Sequence, residues 1–341
     1  MITIKEALTK KEMKDYVMFS FELYKNNQYW IPPIIAEELE TFDKTKNPAL
    51  QTAEAHFYLA YKDNKIVGKI AAIINWEEVN LLGKRKARFG WFDAIDDVEV
   101  TKALLNKVEE LGRKHKMDHM EGPMGFSNLD KVGILSEGFD QMGNMITWYS
   151  LPYYITHFEQ LGFIKEKEYT ESDFSFNGIN PEPFQKASEL IKKRYELRSL
   201  NFTKTKDIMP YVDKMFDLFN ETYAKLQSFV PINDIQKAYF KKKYISFINP
   251  EFIKFIVDKN DNMIAFAIVM PGFAQALKKA NGKLFPFGFY HLLQARKHSK
   301  EVVFYLIGIT PEYQSKGVTA IVFDEYYKVC QAKGIETCIR T

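Results

Sequence analysis

The segment Glu301–Gly334 constrains this chain more than any other stretch. Val302–Ile309 is an uncharged run with a single glycine, the pattern of a buried strand. Thr310-Pro311-Glu312-Tyr313 then turns the chain, with proline presetting φ. Gln314–Ala320 is a polar loop carrying one glycine and one lysine, and Ile321–Cys330 continues as a helix expected to stop at Gly334, a C-cap residue. Strand, loop and helix in this order fit an α/β protein and build an anion site. The first N–H groups of a helix have no internal partner, and the helix dipole places partial positive charge there. Gly317 lets backbone approach a ligand, and Lys316 adds charge. The same order also serves as a plain connection in every α/β protein, so the spacing has to decide.

That spacing is Gln314-x-x-Gly317-x-Thr319-Ala320, after a strand ending Gly308-Ile309-Thr310-Pro311-Glu312-Tyr313. It resembles the acyl-CoA pyrophosphate loop of the GNAT acyltransferase superfamily, which reads Gln/Arg-x-x-Gly-x-Gly/Ala after a strand ending hydrophobic-x-Pro-x-Tyr. Thr319 stands where Gly or Ala is usual. The resemblance implies a cofactor site at Gln314, Ser315, Lys316, Gly317, Val318 and Thr319. It also implies a backbone N–H for the thioester oxygen around Leu306–Ile309, with Ile307 and Ile309 as cofactor-binding positions. A second stretch, Tyr154–Phe163, is similar to the late helix-to-strand junction of GNAT proteins, where an aromatic is followed by Leu-Gly-Phe. The co-substrate implied is acetyl-CoA or a longer acyl-CoA, with no metal.

Two halves of the chain repeat one plan. In the first, residues 2–6 read as a strand, Lys10–Lys25 as an amphipathic helix, and Gln28-Tyr29-Trp30-Ile31-Pro32-Pro33 as an aromatic–proline segment, either a binding surface or a packed connection. His56–Tyr61 and Lys65–Asn75 form a hairpin about Asp63-Asn64. The basic run Gly83–Arg88 is expected to be a solvated turn, Phe89–Ile95 a strand, Val98–Lys116 a helix capped by Asp96 or Asp97, and Asp118–Gly122 a strand. Gly122–Gly143 is a glycine-rich irregular segment, read as a long loop over one face, and such loops are often functional. Tyr153–Leu161 is a helix closed by Gly162, and Phe163–Phe176 a returning strand. Pro181–Tyr195 is the connecting helix. The second half gives a strand (Tyr195–Phe202), helices (Asp207–Leu226, Asp234–Phe247), an aromatic–proline segment at Phe229-Val230-Pro231, a hairpin (Glu251–Asp258, Met263–Met270), and then the strand and helix already described. The expected fold is an α/β (α+β, mixed-sheet) pair of tandem GNAT-like lobes, similar in layout to a group of bacterial double-lobe proteins. The divisions are an N-terminal lobe at 1–176, a connecting helix at 177–194 and a C-terminal lobe at 195–341. The last lobe is expected to be incomplete, because the sequence stops at Thr341 inside the strand after the cofactor helix.

The repeat lets the lobes be compared. The first-lobe counterpart of the cofactor loop, Ile95-Asp96-Asp97-Val98-Glu99-Val100, has no glycine and three carboxylates, which cap a helix but repel a pyrophosphate. CoA is therefore expected in the second lobe only, with the first as the structural or acceptor-side half. Length and 46% hydrophobic residues allow two ordinary domains with sizeable cores. Forty-seven basic against 44 acidic residues, net +3, give no basis for nucleic acid or an anionic membrane as main partner. Two cysteines, Cys330 and Cys338, make neither a disulfide framework nor a metal spacing. No signal peptide or apolar run of membrane-spanning length is seen, so a cytoplasmic location is expected.

The chemistry implied is attack of an amine, from a small molecule or a peptide, on a thioester. Candidate bases are Tyr305 on the strand and Glu221 on the helix before it, with His291 and His298 in the intervening segment. The basic segments Lys278–Lys283 and Arg296–Lys300 are candidates for the CoA 3′-phosphate or for a solvated face. Three readings stay open: an acyl-CoA-dependent transferase, an aminoacyl-tRNA-dependent transferase of the same fold, and a CoA-binding protein without catalysis.

Overall fold

The computed structural model describes residues 1–127, 129–226, 228–245 and 248–340. It divides into two compact units, Met1–Lys167 with Ala274–Leu292, and Glu168–Phe273 with Leu293–Thr341. The first unit holds a sheet of β1 (Ile2–Glu6), β2 (Ala53–Lys62), β3 (Lys65–Asn75), β4 (Lys86–Ala94) and β5 (His119–Glu121), hydrogen-bonded in that order. Neighbours are antiparallel except β4 and β5, which are parallel. The β2–β3 turn places Asp63 and Asn64 at φ of 51° and 60°, a conformation these residue types tolerate in two-residue hairpins. The crossover between β4 and β5 is the helix Val98–Lys114, which buries Val100, Leu104, Val108 and Leu111 against one face of the sheet. The helix Lys10–Leu23 covers the other face through Tyr16 and Val17, and starts at a Thr9–Glu12 capping box.

Only the start of the basic run is a solvated turn, with Gly83 and Arg85 exposed. Lys86 and Arg88 belong to β4 and are 2% and 1% exposed. The helix Trp76–Leu82 ends at Gly83 in the left-handed region, and the chain doubles back so that Glu78 lies between the two cations. Its carboxylate stands 3.1 Å from Lys86 Nζ and 2.7 Å from Arg88 Nε, while Glu121 lies 2.6 Å from Lys86 Nζ. Buried charges persist only when paired in this way.

The second unit repeats the topology. Its sheet runs β6 (Ser172–Ser175), β11 (Thr337–Arg340), β10 (Glu301–Ile309), β9 (Met263–Pro271), β8 (Ile253–Val257) and β7 (Arg198–Leu200). Here β10 and β11 are the parallel pair, joined by the helix Val318–Lys333. That helix buries Ile321, Val322, Tyr326 and Cys330, and Tyr326 Oη donates toward the carbonyls of Ala267 (2.7 Å) and Phe252 (2.9 Å). It closes at Gly334, where Ile335 N–H returns to Cys330 O at 2.9 Å. The long returning strand expected at Phe163–Phe176 reduces to β6, which pairs antiparallel with β11 of the second sheet. The helix Glu182–Tyr195 packs against Val318–Lys333, with a Lys192–Glu325 ion pair of 2.7 Å. The helix read over Asp207–Leu226 breaks at Pro210 into Thr205–Ile208, a 3-10 turn and Val212–Tyr223. Asp234–Phe240 runs into a π turn, Lys241–Ile245; Ser246 and Phe247, the end of the expected helix, lie outside the described residues.

Candidate functional site

In the second unit, β10 carries the strand end expected to meet a cofactor. It is bulged at Tyr305, between Phe304 and Leu306 in its pairing with β9. Further on, side chains take its carbonyls: Tyr223 Oη donates to Ile307 O and Gln314 Nε2 to Ile309 O, each at 3.1 Å. The N–H and C=O of one strand residue point the same way, so the N–H groups of Ile307 and Ile309 face that edge too. Burial raises the Tyr223 phenol, which stays protonated as a donor. The helix begins at Val318, earlier than the expected Ile321, so Val318 and Thr319 form its first turn. No side chain caps it, and the first N–H groups are oriented as at an anion site.

The predicted loop residues are brought together, with two changes of role. Gln314 braces the strand end with its side chain. Gly317 is not an open loop glycine: it sits at φ 77°, and a Cβ there would lie 2.8 Å from Ile191 Cδ1. Lys316 Nζ pairs with Glu312 at 3.1 Å and lies over the rings of Tyr313 and Tyr195, 4.2 and 5.3 Å from their centroids. Ser315 and Thr319 are exposed, and Val318 is buried. Of the proposed bases, Tyr305 is half-buried at the bulge and Glu221 is exposed; Tyr223, a residue the sequence reading passed over, reaches the strand from the same helix as Glu221. His291 lies in the first unit and His298 is exposed in the second.

The matching helix N-terminus in the first unit carries its own anion. Asp97 accepts from Glu99 N–H at 3.1 Å and pairs with Lys62 at 2.9 Å, and the Lys62 bond holds this carboxyl below its usual range. The first unit has a different concavity, a cavity of about 70 Å³. The aromatic–proline segment lines it with Trp30, Ile31 and Pro33, the glycine-rich segment with Lys131 and Ile134, and the stretch after it with Trp148 and Tyr149. On its wall Asp93 Oδ2 accepts from Ser20 Oγ at 2.6 Å, and Oδ1 accepts from Tyr24 Oη at 2.9 Å and Tyr154 Oη at 3.2 Å. Burial, and then the Asp93 charge, push the phenols of Tyr24 and Tyr154 up, so both remain donors. Trp91, on β4 beside Asp93, has φ 45°, a strained value for a bulky residue and of the kind that clusters at functional sites. Asp93, Tyr154 and the Ser20–Tyr24 turn come from three distant parts of the sequence. The available signals were the aromatic–proline segment and the long loop, which do not reveal their common target.

No family model matches the chain. The tandem GNAT protein from the clavulanic acid biosynthesis pathway superposes with a TM-score of 0.53 at 9% identity, covering 100% of this chain and 89% of that one. The chain has the tandem GNAT fold. A GCN5-related N-acetyltransferase from Sphaerobacter thermophilus gives a TM-score of 0.50 at 8% identity, covering 99% of this chain and 85% of that one. By sequence it is 27% identical over 326 residues to Protein YghO of Escherichia coli (strain K12), spanning 94% of this chain and 81% of the relative. It is 24% identical over 312 residues to a bacterial ceramide synthase of Caulobacter vibrioides, spanning 90% and 80%. Among the described residues no helix is long and apolar enough to cross a membrane.

Proposed function

We propose that this tandem GNAT protein is an acyl-CoA-dependent N-acyltransferase that joins an acyl group to an amine. The observation that carries the reading is the strand end of β10, where side chains take the Ile307 and Ile309 carbonyls beside an uncapped helix N-terminus. An acyl-CoA would place its pyrophosphate at the Gly317–Thr319 amides, the Lys316 N–H being taken by Tyr313 O at 3.1 Å, and its thioester oxygen toward the strand N–H groups. The amine nitrogen attacks the thioester carbon; the C–N bond forms, the C–S bond breaks, and CoA leaves as thiolate. One proton leaves the nitrogen and one is taken up by the sulfur. Holding both reactants makes the step effectively unimolecular. The relative named a ceramide synthase favours a long-chain amine as acceptor. The cytoplasm, where acyl-CoA is made and used, is the proposed compartment.

The test is release of free CoA thiol, with mass detection of the amide, from acetyl-CoA and palmitoyl-CoA against a panel of short and long-chain amines. Thiol release that depends on an amine is expected, with Lys316→Ala raising the KM for acyl-CoA. No release with any pair, together with no CoA binding, would overturn the reading.

A further inference from the structure

We propose that the cavity of the first unit is a socket for a small primary ammonium headgroup, with Asp93 as its counter-ion and tryptophan rings as its walls. Its composition sets the ligand class. Three of the four tryptophans in the chain, Trp30, Trp91 and Trp148, line this one cavity. Trp30 stacks on Tyr24 at 5.1 Å between ring centroids, and Trp91 and Trp148 meet at 6.0 Å. Aromatic faces attract cations and are a recurrent way to hold ammonium groups. Asp93 is fixed by three hydroxyls, which are neutral donors. Lys69 forms a buried ion pair with it, but at 3.6 Å from Nζ to Oδ2 and with Nζ 4.9 Å from the centroid of the Tyr16 ring the pair is longer than a charge-assisted hydrogen bond, so an ammonium that comes closer competes with this lysine for the carboxylate. Glu38 and Lys131 also line the cavity, as opposite charges that act on one another; burial pushes the Glu38 carboxyl up and the Lys131 ammonium down.

Size narrows the ligand further. One water needs roughly 10–15 Å³ of such space, so about 70 Å³ admits a headgroup of a few heavy atoms and excludes a nucleotide or an acyl chain. An amino alcohol head fits: its ammonium bonds Asp93, and its carbon skeleton lies on the indoles. The biological sense of the socket rests on the amide-forming function proposed above, since an acceptor amine needs a place to dock; its chemistry does not.

The experiment is a tryptophan-fluorescence titration of the full chain with ethanolamine and 2-amino-1,3-propanediol, beside N-acetylethanolamine and 1,2-propanediol. Both amines should give a saturable change and the two uncharged compounds none. Asp93→Asn removes the charge but keeps one oxygen to accept from the two tyrosine hydroxyls, leaving Ser20 facing an amide NH2 to which its hydroxyl oxygen can act as acceptor, and should weaken amine binding at least tenfold. Trp30→Leu, on a connecting segment, should weaken it severalfold, and it decides the matter if the Asp93 variant does not fold. Equal responses to amines and neutral analogues, or wild-type binding by either variant, would overturn the socket. The thiol-release assay separates the two ideas. Amine binding without acyl transfer would sink the transferase reading and leave the socket, whereas transfer with an amine KM unchanged in Asp93→Asn would do the reverse.

Discussion

Gly317 answers two demands at once, one from the backbone and one from a neighbour. Its φ of 77° suits glycine, and its missing Cβ makes room for Ile191. A side chain here strains the left-handed backbone by about 1–2 kcal/mol and also collides with Ile191. Gly317→Asp should therefore lower the melting temperature as well as CoA affinity, whereas a substitution in an open surface loop costs within about 1 kcal/mol. The glycine was legible because a tight loop-to-helix entry requires it; Ile191 comes from a helix more than a hundred residues earlier and was not. Lys316→Ala is the cleaner probe. Lys316 is 29% exposed and its partners are Glu312 and two ring faces, so the fold should not depend on it. We expect a CoA affinity loss of about 5- to 30-fold, the worth of one charge-assisted contact, with an unchanged melting temperature. Calorimetric titration beside thermal melts of both variants checks the pair. If Lys316→Ala binds CoA normally, the lysine does not touch the ligand.

At the scale of elements, two ionic contacts set how strands and helices hold together. Glu78 ties the helix Trp76–Leu82 to β4 through Lys86 and Arg88. Glu78→Gln would leave two buried cations short of a counter-charge, and a loss of about 3–5 kcal/mol is expected, read as an earlier urea midpoint for the first unit. An unchanged midpoint would mean that Glu121 alone suffices for Lys86. This contact was misread in sequence because a run of basic residues looks solvated until the alternate strand positions and the preceding helix are placed. The returning strand was read too long, over Phe163–Phe176, for a different reason: Ser172-Asp173-Phe174-Ser175 has one apolar residue, and the strand extends only where the β11 edge pairs with it. The hairpin at Asp63-Asn64 and the helices Val98–Lys114 and Val318–Lys333 were legible because turn chemistry, capping residues and apolar periodicity agree locally. In the second unit Glu325 joins the helix Val318–Lys333 to Lys192 and Asn201. Burial alone would raise its carboxyl, but these partners prevail and bring it down to about 2. A lowered carboxyl stabilises the fold above its unfolded value near 4.5, and the contribution, at most about 3 kcal/mol, is lost as pH falls from 4.5 toward 2. Chemical unfolding at pH 7 and pH 3 should show this loss in the native protein and a smaller one in Glu325→Gln; equal losses would refute it.

For the whole molecule, the fold repeats while the chemistry of the repeats diverges. Each unit has a four-strand antiparallel run followed by a helix and a parallel strand, yet the two helix N-termini differ. That of Val98–Lys114 is closed by the Asp97 carboxylate and its lysine partner; that of Val318–Lys333 has a left-handed glycine and no side-chain cap. An anion cannot join the first without displacing a charge of its own sign. One CoA per chain is therefore expected in calorimetric titration. Removing residues from Glu301 onward would not test it, since β10 lies inside the second sheet and β11 beside it, and their loss would unfold the unit. Substitutions at the two N-termini do test it. Asp97→Asn keeps a capping side chain, costs helix stability of at most about 1 kcal/mol, and should leave stoichiometry and affinity for CoA unchanged. Lys316→Ala should weaken the single isotherm without altering its stoichiometry. Two sites in the native chain, or an affinity that follows Asp97 and ignores Lys316, would place the cofactor in the first unit and remove the asymmetry on which the functional reading depends.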